Sequence, residues 1–353
     1  MYFVGLGSAT PPRRYAQVDC WMALQGSAQF SALAPRSRAI LKKVLTGKNG
    51  ITSRYLALEP LQEAFNISPD ALHARFSQHA PALAANAAAR ALAEAGLAPE
   101  AMDAVIISTC TGYLCPGLTS YVSERLKLRP DVMALDLVGQ GCGAALPNLR
   151  LAESLLQSGR CEHVLSVCVE VCSAAFYLDD DPGVLISACL FGDGAGAAVL
   201  SRKPGARRHV EWKACGSLLE PQDREILRFE SKGGMLRNIL SPLVPGVTGR
   251  HAKTVFDTVT AQAGVAPGEI TGWIFHAGGR EVLAALQQSL GLLPDDVRWS
   301  VEILDEHGNL SSPFVLFTLQ RALRENAPGG LWWLSSFGAG FSCHGAILEV
   351  APA

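Results

Sequence analysis

Short runs of β-branched and other apolar residues alternate with alanine- and leucine-rich stretches in the first part of the chain. Three of these runs predict buried strands, at 103–108 ("DAVIIS"), 132–138 ("VMALDLV") and 163–171 ("HVLSVCVEV"). The stretch 82–95 predicts a helix, and 142–158 predicts another that ends at Gly159. Strand, helix and strand in this order favour right-handed crossovers and a mostly parallel, buried sheet.

The same pattern starts again after residues 201–209. It predicts a strand that runs into a glycine turn (272–279), two helices (281–291 and 311–326) and two strands around a glycine loop (331–350). The fold class is therefore α/β, and two similar halves indicate a pseudo-duplicated fold. We place the N-terminal half at 1–205 and the C-terminal half at 206–353.

Composition narrows the function classes. The 353 residues are 49% hydrophobic and 18% charged, which is typical of a soluble globular protein with a large core. A net charge of -2 gives no electrostatic case for nucleic acid or an anionic membrane. No apolar stretch is long enough for a transmembrane helix, and the start lacks a signal-peptide pattern, so a cytoplasmic location is expected. The ten cysteines are then expected to be reduced thiols rather than a disulfide framework.

Cys142 stands out because it lies between glycines where a predicted strand gives way to a predicted helix, in "GQGCGAAL". Unpaired N–H groups and the positive end of the helix dipole favour a thiolate at such a position. Gly139, Gly141 and Gly143 would allow a tight turn and close approach by a substrate. The alternative is one more small buried residue, and this segment alone leaves both interpretations open.

A nucleophilic thiol needs a partner base and donors for an oxyanion. His276 follows an apolar strand in "WIFHAGG", at the carboxyl end where α/β proteins place chemistry. Asn309 lies in "HGNLSS", before a predicted helix that it could also cap. Taken singly, a core histidine and a helix cap are the simpler interpretations. Cys, His and Asn at strand ends of both halves together indicate a catalytic set.

These residues resemble the type III polyketide synthases, the chalcone/stilbene synthase family within the thiolase fold. The resemblance covers nearly the whole chain, and its style is closest to bacterial alkylresorcinol and alkylpyrone synthases. It rests on five segments: "GQGCGAAL", "LFGDGAGAAVL" (190–200), "FHAGGR" (275–280), "HGNLSS" (307–312) and "SFGAGFSCHG" (336–345). The resemblance implies a layered αβαβα arrangement, a homodimer, and no cofactor beyond coenzyme A thioesters as substrates.

The resemblance also implies roles for the three residues. Cys142 would take an acyl starter from acyl-CoA as a thioester and would pair with His276 as an ion pair. His276 and Asn309 would hydrogen-bond the thioester carbonyl of malonyl-CoA, help expel CO2 and stabilise the enolate. Repeated Claisen condensations and a cyclisation would follow. The expected product is an alkylresorcinol or an alkylpyrone.

Further positions follow from the same resemblance. Phe191 matches a gatekeeper phenylalanine between the CoA tunnel and the cavity, and Ser311 and Gly338 fall in substrate-contacting segments. Basic residues at the tunnel mouth correspond to the segment "LKKVLTGKNGITSRY". Lys48 is the nearest match there, followed by Lys43 and Arg54, although an ordinary solvated basic face would look the same.

Departures from the plant pattern suggest a wider cavity. Asn238 replaces a second aromatic gatekeeper, and Ala175 and Cys110 replace threonines that narrow the plant cavity. Cys115 stands where the family has a methionine that crosses the dimer interface. Loss of a ring and of β-branched threonine side chains opens volume. We therefore expect a long-chain acyl starter held in an apolar tunnel.

Four other interpretations match parts of the sequence less well. A ketoacyl-ACP synthase III has the same fold and triad but condenses once, and "FHAGGR" lacks the asparagine that follows its histidine. A non-catalytic accessory subunit is disfavoured by the intact triad. Gly192, Gly194 and Ala197 mimic a dinucleotide fingerprint, but a strand follows them rather than a helix. Four potential metal ligands lie close in sequence: Cys161, His163, Cys168 and Cys172. Their spacing predicts buried core rather than a zinc site, so no metal is expected.

Overall fold

A computed structural model describes residues 1–206 and 208–353. The strands of this part are β1 (Tyr2–Ala9), β2 (Arg14–Ala16), β3 (Ser53–Tyr55), β4 (Ala104–Ser108), β5 (Met133–Leu137), β6 (His163–Glu170), β7 (Gly194–Ser201), β8 (Val210–Leu219), β9 (Leu227–Lys232), β10 (Met235–Leu240), β11 (Ile270–Phe275), β12 (Gly330–Gly338) and β13 (Ser342–Val350). The helices are α1 (Gln17–Gln25), α2 (Ala28–Ala32), α3 (Pro35–Thr46), α4 (Pro69–Ala95), α5 (Leu118–Leu126), α6 (Ala145–Gln157), α7 (Pro182–Leu190), α8 (Val244–Ala263), α9 (Arg280–Leu290), α10 (Arg298–His307) and α11 (Phe314–Arg324).

Nine strands form one hydrogen-bonded mixed sheet in the order β11-β12-β13-β8-β1-β7-β6-β4-β5. Its two parts meet where Tyr2 of β1 pairs with Glu211 of β8. In the first part, β1 and β6 run antiparallel to β7, while β4 runs parallel to β6 and β5. In the second part, β8 and β12 run antiparallel to β13, while β11 runs parallel to β12. This repeated arrangement supports a division into halves at 1–205 and 206–353, which we retain as a proposal.

Helices cover the sheet in layers, each built around an apolar cluster. One cluster joins α6 and α11 to both parts of the sheet, so these two helices lie between them. A second packs α4 and α5 on the other face of the first part, and a third packs α8, α9 and α10 on the second part. The layered αβαβα arrangement of the thiolase fold follows. No helix among the described residues combines the length and apolar character needed to cross a bilayer.

The longest helix, α4, shows how sequence sets this packing. The Ser68 side chain caps its start by accepting a hydrogen bond from the Ala71 N–H, and Gly96 ends it in the left-handed region. Its alanine face lies so close to β1 that a Cβ on Gly5 or Gly7 would clash with α4 backbone oxygens. Small residues on both sides thus seat the helix directly on the sheet.

Most predicted elements are confirmed, with two corrections. The predicted helix 82–95 is the second half of α4, which starts thirteen residues earlier, at Pro69. Strand β5 was expected to be buried, but it is the edge strand of the sheet and Met133 and Asp136 are exposed. An apolar run in the sequence does not distinguish a central strand from an edge strand. All ten cysteines are free thiols, as expected.

Candidate active site

Cys142 lies in a short 3-10 turn, Gly141–Gly143, between β5 and α6. The regular helix begins at Ala145 rather than at Cys142 as predicted. Gly141 has a φ of 55°, which favours glycine, and the turn packs against the end of β12. A Cβ on Gly338 would lie 2.5 Å from the Gly143 nitrogen, so glycine is required for this close approach. The structure therefore places Gly338 as a support of the nucleophile turn.

Ser311 is the hydrogen-bond partner of the Cys142 sulfur. Its Oγ donates to Cys142 Sγ at 3.1 Å. Its backbone N–H donates to Asn309 Oδ1 at 2.8 Å. Ser311 adopts a positive φ of 60°, an uncommon conformation for a non-glycine residue that is often found at functional sites. One serine thus connects the cysteine to the asparagine.

His276 and Asn309 form the other side of the site. His276 follows β11, and its Nε2 lies 3.0 Å from Asn309 Oδ1. Asn309 Oδ1 also accepts from Ser311, and Asn309 Nδ2 donates to the Gly278 carbonyl at 3.4 Å. Because Oδ1 can only accept, the proton of the neutral imidazole lies on Nε2 in this arrangement. Asn309 is not a helix cap, since α11 begins five residues later at Phe314.

Burial dominates the protonation of this pair. Desolvation raises the pKa of Cys142 to about 12, against the hydrogen bond from Ser311 that lowers it. Desolvation lowers the pKa of His276 to about 4, against the hydrogen bond to Asn309 that raises it. Burial thus disfavours the charged form of each group. The ion pair expected between Cys142 and His276 stays a prediction.

A buried carboxylate behind the site is the main feature that sequence reasoning missed. Glu170 ends β6 and has no exposed surface. It accepts hydrogen bonds from four hydroxyls and from the Cys110 backbone and thiol: Thr109 at 3.2 Å, Thr111 at 2.9 Å, Ser311 at 3.4 Å, Ser312 at 2.6 Å, and Cys110 N and Sγ at 3.0 and 3.3 Å. Burial raises its pKa. A glutamate within the apolar run "HVLSVCVEV" was the available signal.

Phe191 and Asn309 are fixed to each other by backbone pairing. The Asn309 N–H donates to the Leu190 carbonyl at 2.8 Å, and the Gly192 N–H donates to the Asn309 carbonyl at 3.0 Å. Phe191 is half-buried and lines a cavity beside the site. The segment "LFGDG" of one half therefore positions "HGNLSS" of the other.

The cavity offers about 70 Å³ to the centre of a water molecule, within about 930 Å³ of atom-free space that includes open solvent. Five of the predicted substrate-contacting residues line it: Cys110, Ala175, Phe191, Asn238 and Ser311. Beyond them, the wall is formed by apolar side chains of α1, α3 and the 61–65 turn, among them Leu24, Leu41, Leu45 and Phe65. The lining therefore combines polar groups, among them Ser311, the hydrogen-bond partner of Cys142, with a largely apolar remainder.

The predicted CoA-binding residues are placed unequally. Lys48 and Lys43 are exposed, as a tunnel-mouth role requires. Arg54 is only 5% exposed, and its guanidinium donates to Gln17 Oε1 and to the Ala188 and Phe191 carbonyls. The alternative of a solvated basic face therefore does not hold for Arg54, and its role in CoA binding stays a prediction. Its charge is used to hold the backbone beside Phe191.

Cys115 lies apart from these residues. It is exposed in the loop between β4 and α5, beside Tyr113, which is 69% exposed. Both lie near the exposed edge strand β5 in the sheet order, since β4 and β5 are neighbours. Within one chain, Cys115 is not among the residues that line the cavity.

Two family models match the chain. Residues 9–217 match the family described as FAE1/type III polyketide synthase-like protein. Residues 260–350 match the C-terminal part of 3-oxoacyl-[acyl-carrier-protein] synthase III.

Individual relatives agree with the first match. The chain is 31% identical over 250 residues to a 3,5-dihydroxyphenylacetyl-CoA synthase of Streptomyces toyocaensis, covering 68% of this chain and 64% of that enzyme, which is less than two thirds of its length. It is 29% identical over 348 residues to a 1,3,6,8-tetrahydroxynaphthalene synthase of Streptomyces peucetius subsp. caesius, covering 97% and 91%. The crystal structure of the 1,3,6,8-tetrahydroxynaphthalene synthase of Streptomyces coelicolor A3(2) matches in fold, with a TM-score of 0.90 over the full length of both chains at 22% identity. The chain belongs to the FAE1/type III polyketide synthase-like family.

Proposed function

We propose that this protein is a type III polyketide synthase that condenses an acyl-CoA starter with several malonyl-CoA units. The observation that supports the proposal most is the chain of contacts from Cys142 through Ser311 and Asn309 to His276. It brings a thiol, an amide and an imidazole from both halves of the chain to one polar end of a deep cavity. This arrangement suits acyl transfer to sulfur followed by carbanion chemistry.

In the loading step, the Cys142 sulfur adds to the starter thioester carbonyl and CoA leaves. The thiol proton ends on the CoA sulfur, so charge balances. Ser311 holds the nucleophile by its hydrogen bond and donates to the sulfur when the thiolate forms. Because the proton passes from Cys142 to the departing CoA sulfur as the new C–S bond forms, a free thiolate, which burial disfavours, does not have to accumulate.

In the extension step, malonyl-CoA loses CO2 and the electron pair moves onto its thioester oxygen as an enolate. When malonyl-CoA is bound, the Nε2–H of His276 turns from Asn309 Oδ1 to that oxygen, and the Nδ2–H group of Asn309 donates to it as well. The enolate carbon then attacks the Cys142 thioester, and the C–S bond breaks to release the cysteine sulfur. The lengthened chain returns to Cys142 for another round. His276 serves as a neutral donor throughout, because burial keeps its pKa at about 4.

We further propose a long-chain acyl starter and an alkylresorcinol or alkylpyrone product. The support is the largely apolar lining of the cavity, since each methylene buried against it stabilises the bound chain by about 0.8 kcal/mol. The relatives named above form hydroxylated aromatic products, one of them a naphthalene that carries no alkyl chain. A product without an alkyl chain is therefore the second candidate.

Replacing Ala175 with tryptophan tests the tunnel. The indole would fill the passage between the polar end and the apolar depth, so long starters should lose kcat/KM by at least about tenfold while acetyl-CoA is still used. The measurement is kcat/KM for a series of starters from acetyl-CoA to stearoyl-CoA. An Ala175→Ser variant, which adds little volume, is the control. An unchanged chain-length profile in the tryptophan variant would contradict the tunnel.

We also propose that two chains form a homodimer through the face that carries β5, Tyr113 and Cys115. The support is the unpaired edge of β5 together with the exposed side chains of Tyr113, Met133 and Val138. Light scattering after gel filtration should give twice the chain mass of 37.4 kDa. Replacing Val138 with aspartate should shift the mass toward the monomer, and a monomeric wild-type protein would refute the dimer.

The experiment for the function itself combines purified protein, malonyl-CoA and acyl-CoA starters, with mass spectrometry of the products. Alkylresorcinols or alkylpyrones from long starters support the full proposal. A hydroxylated aromatic from malonyl-CoA alone supports the second candidate. Condensation only with malonyl-ACP, yielding a linear β-ketoacyl-ACP, would move the protein to the ketoacyl synthase III class. No reaction with either carrier would favour an accessory subunit.

A further inference from the structure

The β9–β10 hairpin presents an unusual residue to the cavity. On β10, Leu236, Asn238 and Leu240 share one face, and across the hairpin Asn238 pairs with Phe229 of β9. Asn238 is the one position of β10 that is buried, with 6% of its surface exposed. An amide thus stands where strand alternation calls for an apolar side chain.

The carboxamide of Asn238 has unused hydrogen-bonding capacity. Among the described residues, no partner lies within hydrogen-bond distance of its Oδ1, which is fully buried. Both Asn238 and Phe229 line the cavity that leads to Ser311 and Cys110. A buried acceptor without a partner destabilises the fold, and buried groups of this kind are otherwise nearly always paired. The missing partner is therefore to be sought in what fills the cavity.

The hairpin is held firmly in place over the cavity. Arg237, which points to the opposite face from Asn238, forms ion pairs with Asp179 and Glu230 at 2.7 Å each. Asp179 belongs to the loop that follows the cavity residues Ala175 to Leu178. The pair with Asp179 joins the hairpin to that loop, and the pair with Glu230 links the two strands of the hairpin itself.

We propose that Asn238 is a specificity-determining residue that accepts a hydrogen bond from a hydroxyl on the acyl starter. An unpaired carbonyl oxygen calls for a donor, and an acyl chain can supply one only as a hydroxyl. The surroundings fit such a chain, because the same cavity is lined by the hydroxyls of Thr111 and Ser311 and by many apolar side chains. The substrate class is hydroxyacyl-CoA with an apolar tail. This inference rests on the proposed function and refines its starter.

The test compares octanoyl-CoA with 3-hydroxyoctanoyl-CoA and 5-hydroxyoctanoyl-CoA, each with malonyl-CoA. For the wild type, kcat/KM should favour one hydroxylated starter over octanoyl-CoA by about tenfold. Asn238→Leu has a similar volume and no polar atom, so this ratio should fall to about one. Phe229→Leu changes the same wall without removing a polar atom, and its ratio should remain near the wild-type value.

Several outcomes would overturn the inference. A wild-type ratio of one with octanoyl-CoA still consumed refutes it while the proposed function stands. A uniform rise of KM for all three thioesters in Asn238→Leu would mean that the amide contacts the CoA arm instead. No product from any starter refutes the proposed function and this inference with it.

Thermal unfolding tests whether the Asn238 amide has a purely structural role. Because leucine would remove an unpaired buried acceptor, Asn238→Leu should unfold at the same or a higher Tm than the wild type in the absence of ligand. A lower Tm together with an unchanged starter ratio would show that Asn238 serves the fold alone.

Discussion

Cys142→Ala should abolish polyketide formation, lowering turnover by at least about a thousandfold. The thiol is the atom on which every acyl intermediate is carried, and no other sulfur of the site has the same setting. Cys110 also contacts Ser311, but its thiol donates to the buried Glu170, and burial raises its pKa well above the ordinary range. The product assay with malonyl-CoA and a starter measures the loss.

A matched control distinguishes the nucleophile from a buried thiol in general. Cys343 is 1% exposed, and burial raises its pKa to about 12, as it does for Cys142. It lies in β13 outside the cavity lining, so Cys343→Ala should keep product formation. Cys142→Ala should still decarboxylate malonyl-CoA, because His276 and Asn309 remain. Product formation by Cys142→Ala would disprove its role as the nucleophile.

His276→Ala should show the opposite pattern to Cys142→Ala, with slower malonyl-CoA decarboxylation and intact starter loading. Loss of one donor to the developing enolate oxygen typically costs a factor of about 10²–10³ in rate, so malonyl-CoA decarboxylation should fall by that amount. Starter loading should persist, since Cys142 and its partner Ser311 are unchanged. CO2 release and acyl-enzyme formation are measured separately. His163→Gln, at the far end of β6 from Glu170, is the control and should behave like the wild type.

The pH dependence of decarboxylation tests the charge state of His276. Desolvation lowers its folded-state pKa to about 4 from an ordinary value of 6.5. The imidazole therefore stays neutral, with its proton on Nε2, over the range from pH 5.5 to 8. Decarboxylation should show no loss of rate near pH 6.5 that depends on His276. A titration near pH 6.5 that disappears in His276→Ala would mean that the histidine acts as a cation.

Cys142, His276 and Asn309 could be predicted as site residues because each lies in a recognisable local sequence pattern. These patterns are the glycines around Cys142, a histidine directly after an apolar strand, and "HGNLSS" before a helix. Their mutual contacts could not be predicted from one sequence without the resemblance, since His276 and Asn309 are 33 positions apart and Cys142 belongs to the other half. Ser311 links them through a backbone conformation that no periodicity reveals.

Other features depend on three-dimensional surroundings. Glu170 looks like an interruption of a core strand until six donors are found around it. Arg54 resembles a surface cation in sequence, yet its guanidinium donates hydrogen bonds to the Ala188 and Phe191 carbonyls. The exposure of β5 follows from its place at the sheet edge, which depends on strand order rather than on composition. Long-range pairing of this kind is invisible to local patterns.

The most direct test of the account is the mass of the acyl-enzyme. The protein is incubated with octanoyl-CoA in the absence of malonyl-CoA, quenched in acid, and analysed as intact protein and as peptides. We expect one octanoyl group per chain, on the peptide that contains Cys142, and none in Cys142→Ala. Acylation of another residue, or an unmodified chain that still yields products when malonyl-CoA is added, would contradict covalent catalysis by Cys142.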